Sequence, residues 1–221
     1  MTAIVLGIDI GTSGVRIAAT DSDNRLVALS TAPIAAPLQN GGRTLQDPAI
    51  WWEAVDTALK GLDIKGHAVG AISVDGTSGS ILMVGADGTP AGLASMYNDV
   101  AEAADLAIVA GVAPAETAAL GSTSPLARAL PVRGDGLRLL HQADWIAGQL
   151  SGRFDVTDEN NALKTGYDPM SRRWPDWIAG TGLDVRSLPS VVPAGTRTGT
   201  VRAEMADRYG LPADVALVAG T

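Results

Sequence analysis

A chain of 221 residues can hold one or two domains, and 46% hydrophobic against 18% charged residues is a globular composition with enough apolar surface for a real core. The net charge of −8 with no basic stripe argues against nucleic acid as the main partner, and the absence of cysteine excludes disulfide and thiolate chemistry and fits a cytoplasmic setting. The first apolar run holds Asp9, lacks a basic leader and is too short for a secretion signal, and no uninterrupted apolar run approaches the roughly 18 residues of a membrane helix, so no membrane partner is expected.

Ala3 to Asp9, Val15 to Thr20 and Arg25 to Thr31 read as three strands joined by short turns, which predicts an antiparallel meander. A Pro- and Gly-rich loop, Pro33 to Leu45, comes next. Asp47 as N-cap and Pro48 at the first helical position open a helix whose apolar face is Ile50, Trp51, Ala54, Val55, Ala58 and Leu62, and which Gly61 or Gly66 can end. Residues 67–76 read as a buried strand expected to run parallel to the first, and residues 80–88 as another, closed by the Asp87-Gly88 turn. Helices are expected over 99–111, 114–121 and about 135–151, an irregular polar segment over 155–169, a helix within 200–210 and a last strand over 214–221. The helix starting near Asp47 is expected to pack on the first sheet.

The first turn, Gly11-Thr12-Ser13-Gly14, follows a strand that ends with a carboxylate, Asp9. Backbone N–H groups of such a turn can approach a phosphate, Thr12 and Ser13 add hydroxyl donors, and Gly11 and Gly14 permit positive φ and clear the approach. The spacing is neither a Walker A loop nor the Rossmann GxGxxG. A carboxylate near phosphates implies Mg²⁺ between them, usually through water, and Arg16 just past the turn can supply positive charge. The competing reading is a structural hairpin in which Asp9 caps its own turn.

Six stretches, "LGIDIGTSGVR" (6–16), "DPAIWW" (47–52), "VDGTSGS" (74–80), "MYND" (96–99), "ADWIAGQLSG" (143–152) and "DENNALKTGYD" (158–168), together resemble the FGGY family of carbohydrate kinases, in that family's order and over nearly the whole chain. The resemblance implies an α/β fold of the ribonuclease-H-like, actin/Hsp70/sugar-kinase type, with a mixed central sheet and flanking helices. It implies that residues 1–221 are the sugar-binding N-terminal domain, whose partner would be a C-terminal nucleotide-binding domain not in this chain. The substrate would be a small sugar or polyol, with ATP and Mg²⁺ as cofactors, and a homo-oligomer is compatible. The ending Val218-Ala219-Gly220-Thr221 echoes Asp9-Ile10-Gly11-Thr12 and matches the start of the family's Gly-Thr-x-Asp motif, so the base aspartate is expected beyond Thr221. Xylulose kinases usually carry Met-His, and glycerol kinases Arg-Glu, where this chain has Asp75-Gly76-Thr77-Ser78-Gly79; the DGTSG loop is similar to the plant and cyanobacterial group related to D-ribulose kinase.

By that resemblance Asp9 is the phosphate and Mg²⁺ carboxylate, and Gly11, Thr12, Ser13, Gly14 and Arg16 form the phosphate turn. Ser78 matches a sugar-contacting position. Tyr97, Asn98 and Asp99 match the family's Trp-x-Asp segment, with Tyr for the usual Trp. Asp75 either faces the same cleft as Asp9 or caps its own turn through its own oxygens. Asp99 either binds sugar or N-caps the helix it precedes. Asp158, Asn160 and Asn161 are read as surface turn residues, with a cleft lid as the alternative, and Lys164 as solvated. His67 and His141 have no metal-ligand partners nearby and no assigned role. Asp21-x-Asp23-Asn24 is a hairpin turn rather than a calcium loop, and Trp145, Trp174 and Trp177 are packing residues. The leading function is the sugar-binding half of an ATP-dependent kinase acting on a ketose or polyol, D-ribulose first, and inactive alone; the other class is a ligand-binding or structural module without transfer activity.

Overall fold

The computed structural model describes residues 2–220, with Thr2 described for its backbone alone; Met1 and Thr221, and with Thr221 the end of the expected last strand, lie outside the described residues. In chain order the elements are β1 (Thr2–Ile10), β2 (Gly14–Asp21), β3 (Leu26–Pro33), β4 (Leu38–Asn40), β5 (Arg43–Gln46), α1 (Pro48–Lys60), β6 (His67–Gly76), β7 (Ile81–Val84), β8 (Ala94–Ser95), α2 (Ala103–Val112), α3 (Pro125–Ala129), β9 (Arg138–His141), α4 (Gln142–Ser151), β10 (Val156–Asp158), α5 (Glu159–Leu163), β11 (Ser190–Val192), β12 (Arg197–Thr200), α6 (Ala203–Tyr209) and β13 (Ala216–Val218).

The central sheet has the strand order β12-β13-β6-β1-β2-β3. β1, β2 and β3 form the expected antiparallel meander, while β6 runs parallel to β1 and β13 parallel to β6. Side chains alternate across a strand. Ile4, Leu6, Ile8 and Ile10 of β1 and Val15, Ile17 and Ala19 of β2 therefore share one face, where they are buried against Trp51, Ala54, Val55 and Ala58 of α1, Ile146 and Leu150 of α4 and Met205 of α6. Asp47 caps α1 by accepting from the Ala49 N–H, and Gly61 ends the helix, both as the sequence implies.

Paired residues point to the same side, so the opposite face is laid out in rows. One runs Leu26, Thr20, Val5, Ala71, Ala216; the next Leu29, Ala18, Gly7, Ser73, Val218; the last Thr31, Arg16, Asp9, Asp75. Val5 (48%), Leu26 (60%) and Leu29 (54%) are exposed there. A second, five-stranded sheet, β4-β5-β8-β7-β9, has its own core, with Ile81, Met83, Leu126, Leu130, Leu139 and Ile178.

The structure departs from the sequence reading in several places. The loop over 33–45 contains the β4–β5 hairpin, closed by Gly41 and Gly42 at φ +57° and +84°, the conformation a two-residue hairpin turn demands. The helix expected over 99–111 starts at Ala103, after the turn that holds Asp99, and 114–121 forms turns rather than a helix. The helix expected over 135–151 is shorter because Arg138–His141 pairs with β7. α3, five residues long, is too short to show a period. The polar segment after 155 holds β10 and α5, with Asp158 accepting from the Asn160 and Asn161 N–H groups; Asp158 and Asn161 are buried, not surface turn residues.

Candidate active site

β1 and β6 are parallel and in register at their ends, Asp9 opposite Asp75 and Ile10 opposite Gly76. The Gly11–Gly14 turn and the Gly76–Ser80 turn therefore leave the same edge of the sheet, the edge where open α/β sheets place ligands. The last polar row of the open face ends at that edge. Asp9 keeps about half of its side chain in solvent, and Arg16, across the hairpin, brings its guanidinium to 3.8 Å from the Asp9 carboxylate. Asp75 is exposed and accepts a 2.7 Å bond from the Gly76 N–H. Asp75 thus bonds its own turn, as one of its two readings expects, and stands opposite Asp9 in the register.

The first turn is closed by the Gly11 N–H donating to the Gly14 carbonyl (3.0 Å) and is fastened to the chain just past β3 by the Ile34 N–H donating to the Ser13 carbonyl. Neither Gly11 nor Gly14 has positive φ, so the conformational argument for them fails. Gly14 is needed for another reason: a Cβ there would lie 2.9 Å from the Ala32 carbonyl oxygen. Thr12 is half-buried and Ser13 exposed.

Ser78 is exposed at the tip of the second turn, and Gly79 behind it takes φ +93°. Tyr97 and Asn98 flank the same turn: the Tyr97 N–H donates to Ser80 Oγ (3.0 Å), and both side chains are exposed. Two loops are thereby joined, and Arg128 joins them again. Its guanidinium is 1% exposed and donates to the carbonyls of Gly79, Ser95, Met96 and Thr123 and to Ser95 Oγ. Burial pushes its pKa down to about 10, opposed by the charge of Asp99. Sequence reading missed Arg128, since an arginine inside the run "PLARAL" carries no local sign of its distant partners.

Asp99 is in this neighbourhood but not open to a ligand. It is fully buried, and its two oxygens accept from Arg43 Nε and Nη2, the Thr44 N–H and Ser95 Oγ. It does not cap α2 either, whose N-cap is Glu102. Burial pushes the Asp99 carboxyl up, but the bonds from Arg43, Ser95 and Thr44 outweigh it and hold the pKa below its ordinary value of 3.8. A depressed folded-state pKa gives stability that is present above about pH 4 and lost as pH falls through the folded value. Acid titration of wild type against Asp99→Asn should show that increment in the wild type alone; equal acid slopes would remove Asp99 from the ledger.

Lys164 is exposed, as read, and its stem lies beside Gly79: a Cβ on Gly79 would be 3.8 Å from Lys164 Cδ. His141, left without a role, is 1% exposed and bonded, Nδ1 lying 2.7 Å from Asp144 Oδ2 and Nε2 3.0 Å from Thr165 Oγ1. Asp21 accepts from the Asp23 and Arg25 N–H groups, a hairpin turn as expected. Trp145 is buried edge-on to Trp51, with ring centroids 6.2 Å apart, and Trp174 stands edge-on to Tyr167.

Among the described residues no group of three or more His, Cys, Asp or Glu could hold a metal ion, and no helix is long and apolar enough to cross a membrane. The donor set at the sheet edge, half-exposed Asp9 and exposed Asp75 in register beside a turn with free hydroxyls, fits Mg²⁺, which takes one or two carboxylates and fills its shell with water and phosphate oxygens.

Residues 4–105 match the FGGY family of carbohydrate kinases, N-terminal domain. The chain is 28% identical over 237 residues to a xylulose kinase of Streptomyces rubiginosus, a match covering 95% of this chain and 46% of that protein. It is 25% identical over 233 residues to a xylulose kinase of Lactococcus lactis, covering 98% and 46%. The solved structure of a xylulose kinase from Rhodospirillum rubrum superposes with a TM-score of 0.87 at 24% identity, covering 99% of this chain and 49% of that one. The chain thus spans about half the length of the curated relatives it matches.

Proposed function

Because residues 4–105 carry the N-terminal domain of the FGGY family of carbohydrate kinases, we propose that this chain is the sugar-holding half of an ATP-dependent kinase that phosphorylates a hydroxyl of a small ketose, D-ribulose before D-xylulose. The observation that carries the reading is the register of β1 and β6, which sets the Asp9 turn and the Ser78 turn side by side at one sheet edge.

Phosphoryl transfer leaves a protein little covalent work; it aligns the reacting groups and meets charge where charge develops. The N–H groups and hydroxyls of Thr12 and Ser13 would face the phosphates, the Gly11 N–H being used to close the turn, and Arg16, with the Asp9 carboxylate within 4 Å, would supply positive charge next to them. Mg²⁺ bound with the nucleotide would neutralise phosphate charge, and Asp9 and Asp75 are the residues that would hold it. Ser78 and the exposed Tyr97 and Asn98 line the sugar's side. The base that takes the hydroxyl proton is assigned, by family resemblance, to an aspartate of a second domain. That domain would also cover the open face bearing Val5, Leu26 and Leu29, whose exposed apolar surface fits an interface. Cleft closure would then keep water from the phosphoryl group.

The choice of D-ribulose rests on the DGTSG turn, which lacks the Met-His pair usual in xylulose kinases, although the relatives named above are xylulose kinases. Titrating the full-length protein with D-ribulose, D-xylulose, L-ribulose and glycerol decides it. Ser78→Ala should raise the KM of the preferred sugar roughly two- to tenfold with kcat little changed, the loss of one binding hydrogen bond. An unchanged KM would take Ser78 out of the sugar site.

A further inference from the structure

Gln142, the first residue of α4, is 1% exposed and distant in sequence from both site turns. Its Oε1 accepts from the Thr77 N–H (2.9 Å) and from Thr77 Oγ1 (2.8 Å), and its own N–H donates to the Ser80 carbonyl (3.1 Å). A Cβ on Gly76 would lie 3.1 Å from Oε1, so the carboxamide is seated against the turn. Its orientation follows from chemistry. The Thr77 N–H can only donate, so the oxygen must face it and the NH₂ must point away, where Nε2 is buried without a partner among the described residues.

The proton order follows too. Thr77 gives its hydroxyl proton to Gln142, so the 2.7 Å contact between Thr77 Oγ1 and Ser80 Oγ must be donated by Ser80, whose oxygen in turn accepts the Tyr97 N–H. One directional chain, Tyr97 to Ser80 to Thr77 to Gln142, ties together the two loops that carry the sugar-side residues. An unmet buried donor, Gln142 Nε2, sits at its accepting end; an apolar side chain of similar length would remove that donor but would also take the acceptor from the Thr77 N–H and hydroxyl.

We propose that Gln142 is a positioning residue for sugar recognition: its Oε1 fixes the Thr77-Ser78-Gly79 turn and, through Ser80, the backbone of Tyr97. This rests on the kinase reading for the identity of the ligand but not for the geometry. Gln142→Met keeps length and removes the acceptor; Gln142→Glu restores an acceptor oxygen at the positive end of α4. In the full-length protein, Gln142→Met should raise the sugar KM about tenfold, leave the ATP KM unchanged and make the Thr77 amide exchange with solvent at least about tenfold faster. Gln142→Glu should return both readouts most of the way to wild type. Thr77→Val, which drops the hydroxyl link alone, should shift the sugar KM in the same direction and decides the matter if Gln142→Met does not fold. Unchanged Thr77 exchange, equal rises in sugar and ATP KM, or Gln142→Glu behaving as Gln142→Met would each overturn the proposal. If the wild type turns over no sugar, the kinase reading fails by itself, while the exchange of Thr77 still tests the positioning.

Discussion

Asp9→Ala in the full-length protein should lower kcat roughly 10²–10³-fold, the usual effect of losing one well-placed electrostatic contact in a transition state. The sugar KM should stay within about threefold if Asp9 serves the phosphates, as proposed, and Ser78 the sugar. Loss of fold should not confuse the result. Asp9 is half in solvent, and its ion pair with Arg16 is long, at 3.8 Å, and exposed on both sides, the kind of contact worth well under about 1 kcal/mol. Melting of the variant should therefore match wild type. A kcat within about threefold of wild type would leave Asp9 as a turn cap and return the hairpin to its purely structural reading.

Arg128→Met should do the reverse: a large loss of stability, with activity lost through the fold. The guanidinium is the shared donor for carbonyls of Gly79, Ser95, Met96 and Thr123, all brought to one buried point. Methionine fills much of the volume but donates nothing. Replacing a buried charge by an apolar group can be harmless when its partners are replaced with it; here the carbonyls remain, each left in a dry interior. Asp99 loses a favourable charge as well. The expected loss is about 3–5 kcal/mol, read as a drop in the urea midpoint with an unchanged slope. A loss under about 1 kcal/mol would mean that water or other donors reach those carbonyls.

The fold was legible where the pattern was local. The short apolar run of Ala3 to Asp9, the Asp47-Pro48 start and the Gly61 stop each name an element by themselves, and the structure places them so. The β4–β5 hairpin was missed although "NGGR" carries the turn signal, because three- and four-residue strands hold too few alternations to stand out in a Pro- and Gly-rich stretch. Asp99 shows the other limit. Its motif marks the right neighbourhood, yet the roles of ligand and buried strut depend on whether Arg43, 56 residues earlier, arrives beside it. Arg128 and Gln142 were invisible for the same reason: each acts on a turn roughly 50 to 65 residues away in the chain. The exposed residues of the candidate site were named from sequence, but Arg128 and Gln142, buried beneath its turns, were not.

Transfer of labelled γ-phosphate from ATP to D-ribulose, D-xylulose, L-ribulose and glycerol, followed for the full-length protein and for residues 1–221 alone, is the most direct test of a shared kinase cleft. The expected result is a labelled ketose phosphate from the full-length protein, and none from residues 1–221. Labelled product from residues 1–221 alone, or none from the full-length protein with any of the four, would contradict it.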